Sequence, residues 1–381
     1  MTRPLPLSRP PFSDGAQASA RRPFAHPGAG AAIRVMIVDD SLTVRTIFKR
    51  MVESDPAMIV AGTASSAESA LAQLRDAPAD VVLLDLEMPG IGGLHALPAI
   101  LATPAAPQVL VVSSLTMDGA QHTLSALSMG AADTLLKPRP GGFTDDYRSQ
   151  LLGKIRALGT RMADPEGERV QFATPSFART GLARRSRRPD AIAIGASTGG
   201  IHALGLMLRR LTAGFDLPIL ITQHLPPSFI PVFARQVETA CGRPADIAAD
   251  GLAIHPGRIV IAPGDGHLLV QRRGDQLTTR VSSEPVASGC LPSVDPMLTS
   301  LAQACDGRAL GVILSGMGRD GAIGAQDLVD AGGTIYAQDV DTSAVWGMPG
   351  AVARAGLASL IAPPERIGDA VTALCATAAL R

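Results

Sequence analysis

Two sets of residues in this 381-residue chain have the types and spacing to do chemistry. The first is acidic. Asp39 and Asp40 follow the apolar run Arg34–Val38, and Asp85 closes the run Val81–Asp85. Ser113 lies near the end of a third run, QVLVVSS, and Lys137 near the end of a fourth, DTLLKP. In a doubly wound parallel sheet the carboxyl ends of the strands share one edge, so these distant residues converge there. Carboxylates held that close stay ionised only beside a cation, and oxygen ligands favour Mg²⁺. A carboxylate beside Mg²⁺ and a lysine is placed to attack phosphorus and hold an acyl phosphate. One aspartate alone would read as the cap of the helix that starts near Ser41. Two aspartates, a third, a serine and a lysine in this order at successive strand ends point past capping.

The second set is built around a serine. Residues 195–200 read GASTGG, and residues 195–199 fit G-x-S-x-G. Small residues on both sides let a strand turn sharply into a helix and push Ser197 outwards. The free N–H groups of the helix start then point at whatever Ser197 attacks. A glycine-rich turn of this kind also suits a phosphate, but this one lacks the P-loop lysine and is not G-x-G-x-x-G. His224 follows the apolar run PILITQ, and Asp320 lies in GMGRDG after LGVILSG. If these strands are parallel, Ser197, His224 and Asp320 meet on one edge as nucleophile, base and orienting carboxylate. The chain order Ser, His, Asp excludes an α/β-hydrolase, in which the histidine comes last. Among the other histidines, His26 falls in the N-terminal tail and His95, His122 and His202 in predicted helices. His267 has two readings, cleft wall or satisfied structural histidine.

These residues need two scaffolds. From Ile33 to about residue 138, apolar runs alternate with helical stretches such as Val44, Ile47, Phe48, Met51 and Val52 on one face. From Asp190 a second series begins with AIAIG, PILITQ, RIVIAP and LGVILSG. Alternating strands and helices mean parallel sheets with right-handed crossovers. The fold class is therefore α/β, with two doubly wound parallel-sheet domains over residues 31–140 and 189–381. Residues 1–30, rich in Pro, Ala, Gly and Arg, read as a disordered tail without the apolar core of a secretory signal. Residues 141–188 read as linker. They hold a helix over 143–160, with Tyr147, Leu151, Leu152, Ile155 and Leu158, and then five arginines between Arg179 and Arg188.

Composition removes several function classes. Lys+Arg and Asp+Glu both number 34, so there is no basic excess to coat nucleic acid. Aromatics make up 3% of residues, so Ala, Val, Leu and Ile must fill the core, as buried parallel strands do. No apolar run approaches the roughly 20 residues of a membrane span, so direct membrane insertion is not expected. Cys241, Cys290, Cys305 and Cys375 show no C-x-x-C spacing, which favours a reducing cytoplasm over structural zinc.

The segments VMIVDDS, LLDLEMPG, VVSSLT and GAADTLLKP resemble a CheY-like response-regulator receiver, over about residues 33–140. The resemblance implies a flavodoxin-like fold with Asp85 as phosphoacceptor. Asp40, Asp85 and the backbone carbonyl of Glu87 would hold Mg²⁺, with Asp39 assisting. Ser113 would be the switch hydroxyl and Lys137 the pairing cation. Two departures stand out: Thr134 occupies the usual aromatic switch position, and Gly92-Gly93 replaces the common Asp-Gly. The segments GASTGG, ITQHLP, IAPGDGH, LPSVDPML, SGMGRDG and VWGMPGAV resemble the catalytic domain of CheB chemotaxis protein-glutamate methylesterases, from about residue 190 onwards. That implies a Rossmann-like domain with Ser197 as nucleophile, His224 as general base and Asp320 as orienter. Segments around Thr198 and Met317 would shape the oxyanion site, and hydrolysis would need no cofactor. Here Cys290-Leu291 precede the proline of PSVD, where the family often has an arginine. The implied substrate is a glutamate γ-methyl ester on the cytoplasmic helices of a chemoreceptor, releasing methanol, with glutamine deamidation as a second activity. A chemotaxis histidine kinase would supply the phosphoryl group, and the unphosphorylated receiver would pack on the catalytic face. Competing readings are a phosphorylation-dependent binding module with an inactive enzyme domain, an esterase for another substrate, and a nucleotide-binding domain.

Overall fold

The computed structural model describes residues 32–113, 117–138, 141–160, 188–212 and 214–376. The expected tail and most of the expected linker lie outside the described residues.

The first sheet contains β1 (Ile33–Val38), β2 (Met58–Ala64), β3 (Val81–Asp85), β4 (Gln108–Ser113) and β5 (Asp133–Leu136). They run parallel in the order β2-β1-β3-β4-β5. Strand β2 has no counterpart among the expected runs. It is an edge strand with only Met58 and Ala64 buried, so no continuous apolar stretch marks it. The connecting helices are α1 (Leu42–Glu53), α2 (Ala67–Asp76), α3 (Gly92–Leu101) and α4 (Met117–Met129). A fifth, α5 (Asp145–Gly159), falls in the stretch read as linker. Thr144 caps it by accepting from the Tyr147 N–H, and Tyr147, Leu151, Ile155 and Leu158 all face the core. They join Ile33, Val35, Ile37 and Phe48 in one apolar cluster. At about 1.5–3 kcal/mol per buried side chain, this helix seals the first sheet rather than linking the domains.

The second sheet orders its strands β14-β13-β12-β6-β7-β9-β8, all pairs parallel. Its centre is the set of expected runs: β6 (Ala191–Ala196), β7 (Ile219–Gln223), β9 (Ile259–Ile261) and β12 (Ala309–Ile313). The outer strands are β8 (Ala245–Ile247), β13 (Thr334–Gln338) and β14 (Leu360–Ala362). An antiparallel hairpin, β10 (His267–Arg273) with β11 (Gln276–Ser282), is inserted before β12. Helices α6 (Gly200–Leu208), α7 (Ile230–Cys241), α8 (Val294–Ala304), α9 (Ala322–Asp330), α10 (Met348–Arg354) and α11 (Pro364–Ala376) cover the sheet. Strand order reverses between β6 and β12. A crevice opens at the carboxyl ends of strands that part this way.

The domains pack directly on each other. Helix α4 lies against α6 and α7. Leu124, Leu127 and Ala131 share an apolar cluster with Ile201, Leu204, Leu225 and Phe229. Among the described residues no helix is long and apolar enough to cross a membrane.

Candidate functional site

The crevice of the second sheet gathers the three expected residues. Ser197 follows β6, His224 follows β7 and Asp320 lies beyond β12, so neighbouring strands deliver all three. The strand-to-helix turn needs glycine at 199, whose φ of 77° is left-handed. A Cβ there would also stand 2.6 Å from that of Ala344. The turn is held from several sides. The Ser197 N–H donates to the Ser315 carbonyl at 3.0 Å. Ser315 Oγ donates to the Thr198 carbonyl at 2.7 Å, and Gln223 Nε2 to the Ser197 carbonyl at 3.0 Å. The loop after β12 passes close by: a Cβ on Gly316 would sit 2.9 Å from Ser197 Cβ. Among the described residues the N–H groups of Thr198 and Met317 have no hydrogen-bond partner. Thr198 follows Ser197 directly, and Met317 follows Gly316 in the loop that passes Ser197.

His224 Nε2 lies 2.8 Å from Asp320 Oδ2. Asp320 Oδ1 accepts from Ser293 Oγ at 2.6 Å, and Oδ2 also accepts from the Val294 N–H at 2.7 Å. Burial alone would raise the Asp320 carboxyl. The bonds from His224, Ser293 and the start of α8 outweigh it and hold the group well below the usual carboxylate range. An ionised carboxylate only accepts, so Nε2 carries the proton and Nδ1 keeps the basic lone pair. No hydrogen bond joins Ser197 Oγ to the imidazole in this conformation; such contacts often tighten only with substrate present. His267 takes the structural reading. It is 2% exposed, its Nδ1 accepts from the Ser293 N–H at 2.9 Å, and its Nε2 bonds the Glu284 carbonyl at 2.9 Å.

The first sheet gathers the acidic set. Asp39 and Asp85 are buried and Asp40 is exposed, yet all three offer oxygens within 4.8 Å of one another. Lys137 Nζ stands 2.8 Å from Asp39 Oδ2 and 2.6 Å from Asp85 Oδ2. The Glu87 N–H donates to Asp85 Oδ1 at 3.0 Å, which puts Glu87 at the rim of the cluster. Burial raises the Asp85 carboxyl, helped by the Asp39 charge, in spite of Lys137 and the Glu87 N–H. Burial would lower Lys137, but its bonds to Asp39 and Asp85 raise it. Three carboxylates against one ammonium is a donor set that fits a hard divalent cation such as Mg²⁺. Ser113 Oγ and Thr134 Oγ1 are both buried without a hydrogen-bond partner.

The receiver packs against the catalytic face, and which residues meet there was not legible in the sequence. A cavity of about 280 Å³ lies between the domains, lined by Ser197, Gln223 and His224 on one side and by Asp133, Tyr147 and Lys154 on the other. The Ala132 carbonyl accepts from the Gly199 N–H at 2.6 Å, at the start of α6. Asp133 Oδ2 accepts from Thr198 Oγ1 at 2.6 Å and pairs with Lys154 Nζ at 2.6 Å. His202, expected in a surface or packing role, bonds the Ser128 carbonyl across the same seam at 2.7 Å. Ser293 was also missed. Its motif was visible, but nothing local announces a hydroxyl aimed at a carboxylate 27 residues away.

A receiver-like sheet with a buried acidic cluster, packed on a second sheet with a serine, histidine and aspartate at its switch point, defines a response regulator with an enzyme-like output domain. Comparison with known families agrees. The response regulator receiver domain matches residues 35–142, and the CheB methylesterase family matches residues 192–371. A protein-glutamate methylesterase/protein-glutamine glutaminase of Azospirillum brasilense is 38% identical, over 94% of this chain and 97% of its own length. One from Caulobacter vibrioides is 44% identical, over 88% and 97%. The crystal structure of the Thermotoga maritima CheB methylesterase catalytic domain is similar at 32% identity and a TM-score of 0.48, covering 49% of this chain and 98% of that one. The chain belongs to the CheB family of protein-glutamate methylesterases/protein-glutamine glutaminases.

Proposed function

We propose that this chain removes methyl groups from glutamate γ-methyl esters of chemoreceptors, releasing methanol, and deamidates receptor glutamines, under control of phosphorylation at Asp85. The observation that carries the catalytic half is the His224–Asp320 contact of 2.8 Å, opening with Ser197 on one cavity. Ser197 Oγ attacks the ester carbonyl while His224 Nδ1 takes its proton. The imidazolium formed is stabilised by Asp320, which other donors already hold ionised. The Thr198 and Met317 N–H groups receive the oxyanion, each such donor being worth about 3–4 kcal/mol. Methanol leaves with the proton from His224, and water then hydrolyses the acyl-serine by the same steps. A glutamine side chain follows the same course with ammonia as leaving group.

In the receiver, Asp40, Asp85 and the Glu87 carbonyl would hold Mg²⁺, with Asp39 beside them. Once bound, the ion offsets the charge of an incoming phosphoryl group. Asp85 accepts that group from a chemotaxis histidine kinase, and Lys137 pairs with it. Ser113, whose buried hydroxyl lacks a partner, supplies a donor. The regulation reading rests on position. Asp133, Tyr147 and Lys154 of the receiver wall the cavity in front of Ser197 and His224, so a receptor helix gains fuller access to Ser197 when the receiver moves. Phosphorylation shifts that equilibrium by the difference in how it stabilises the two arrangements. Substrate helices on the cytoplasmic side of a receptor make the cytoplasm the working place.

The test is methanol release from methylated chemoreceptor membranes, with and without a small phosphodonor plus Mg²⁺, and with Ser197→Ala alongside. Release that rises with the phosphodonor and vanishes in the variant is expected. No release from folded, phosphorylated protein would overturn the substrate assignment.

A further inference from the structure

We propose that His224, Cys290 and Asp320 form a binding site for Zn²⁺, and that zinc seated there switches the esterase off reversibly. This rests on the reading of His224 as the base. One ring nitrogen, the Cys290 sulfur and one Asp320 oxygen lie within 4.8 Å of one another. An imidazole, a thiolate and a carboxylate with a place left for water is the ligand set of open zinc sites. Tetrahedral zinc holds its ligand atoms roughly 3.3–3.7 Å apart, so closing onto one ion asks for about an ångström of side-chain movement.

Several observations fit an ion here. Cys290 is half-buried, and its sulfur has only a long 3.9 Å contact with the Ser288 carbonyl. The carboxylates of Asp320 and Asp295 near Cys290 attract a cation. Ser293 and the Val294 N–H already orient Asp320, as outer partners orient a metal ligand. Leu291, next to Cys290, is 49% exposed, so the loop reaches solvent and offers a way in. Sulfur and imidazole select against Mg²⁺, which suits the all-oxygen cluster of the receiver. The two sites therefore sort two cations.

Inhibition follows from proton bookkeeping. Cys290 releases its S–H proton to solvent when the ion binds, and nothing is oxidised. If zinc takes Nδ1, it occupies the lone pair that accepts the Ser197 proton. If it takes Nε2, that proton moves to Nδ1 and the base is again lost.

The experiment uses the full chain with Mg²⁺ in constant excess. Zinc is titrated against methanol release for the wild type, Cys290→Ser, Cys290→Ala and Cys241→Ser, followed by a chelator. Wild type and Cys241→Ser should be inhibited alike and recover with chelator. Both Cys290 variants should turn over normally and need at least about tenfold more zinc. Independently of activity, Co²⁺ should give a thiolate-to-cobalt charge-transfer absorption that both Cys290 variants lack. If the esterase reading fails, this absorption still tests the site. Equal zinc sensitivity with and without Cys290, or a cobalt band that survives its removal, overturns the proposal.

Discussion

Asp85 and Asp320 stand in matching places and behave in opposite ways. Each lies at the carboxyl edge of a parallel sheet, and each is 2% exposed. Burial pushes both up. At Asp85, one ammonium and one N–H do not overcome it, with Asp39 adding a like charge. At Asp320, an imidazole, a hydroxyl and the N–H groups at the start of α8 reverse it. Burial sets the cost of the charge, and the number of donors decides the sign. The chemical roles follow. A carboxylate short of donors keeps reactive oxygen and a demand for positive charge, which suits a phosphoacceptor beside Mg²⁺. A saturated carboxylate neither binds a proton nor attacks; in turnover it orients its partner.

The largest effect should come from breaking the saturated side. Asp320→Asn removes the charge that fixes the imidazole tautomer and should lower kcat by up to about 10⁴-fold. Steady-state methanol release by the folded variant measures this, and a near-normal kcat would reduce Asp320 to a loop residue. The matching change, Asp85→Asn, should leave basal release intact and abolish only the rise with phosphodonor. Phosphodonor titrations of the two variants side by side sharpen the contrast. A response that persists in Asp85→Asn places the phosphorylated residue elsewhere.

A smaller effect lies where the two halves touch. Asp133 holds Thr198 Oγ1 and Lys154 at once. Charge-assisted bonds of this kind are worth about 1.5–3 kcal/mol, part of which Asp133→Ala would remove from the closed arrangement alone. Basal release should rise up to about tenfold without phosphodonor, and the stimulated rate should stay put, so the activation ratio narrows. Unchanged basal release would mean that the apolar α4 seam holds the domains without this latch.

These residues also mark how much the sequence discloses. Ser197, His224 and Asp320 were legible because central parallel strands, buried on both faces, are continuous apolar runs whose ends can be read directly. The acidic cluster was legible for the same reason. Strand β2 and the outer strands β8, β13 and β14 were not, because they are short or half-exposed. The stripe of α5 was visible, but nothing local shows that it packs on the first sheet. Asp133, Lys154 and Ser293 were invisible as functional residues. Each acts on a group 21 to 65 residues away, and no local period encodes such a pairing.

The smallest effect tests the donor-count rule inside the second domain. Asp295 follows Val294 at the start of α8, close to Asp320. Burial raises its carboxyl to about 6, the Asp320 charge adds to that, and the Gly324 N–H offsets only part. A carboxyl raised in the folded chain binds its proton more tightly there than when unfolded. Between the unfolded value and about 6, the folded state thus holds more protons, and stability falls as pH rises. At pH 7 the ionised group works against the fold. Asp295→Asn keeps an oxygen for the Gly324 N–H and discards the charge. Its unfolding midpoint should therefore exceed that of the wild type at neutral pH, and the gap should close as pH drops through the Asp295 transition. Asp320 is common to both proteins, so its own contribution drops out of the gap. A gap that widens towards acid would mean that Asp295 is also saturated, and that position at a helix start, rather than donor count, sets the sign.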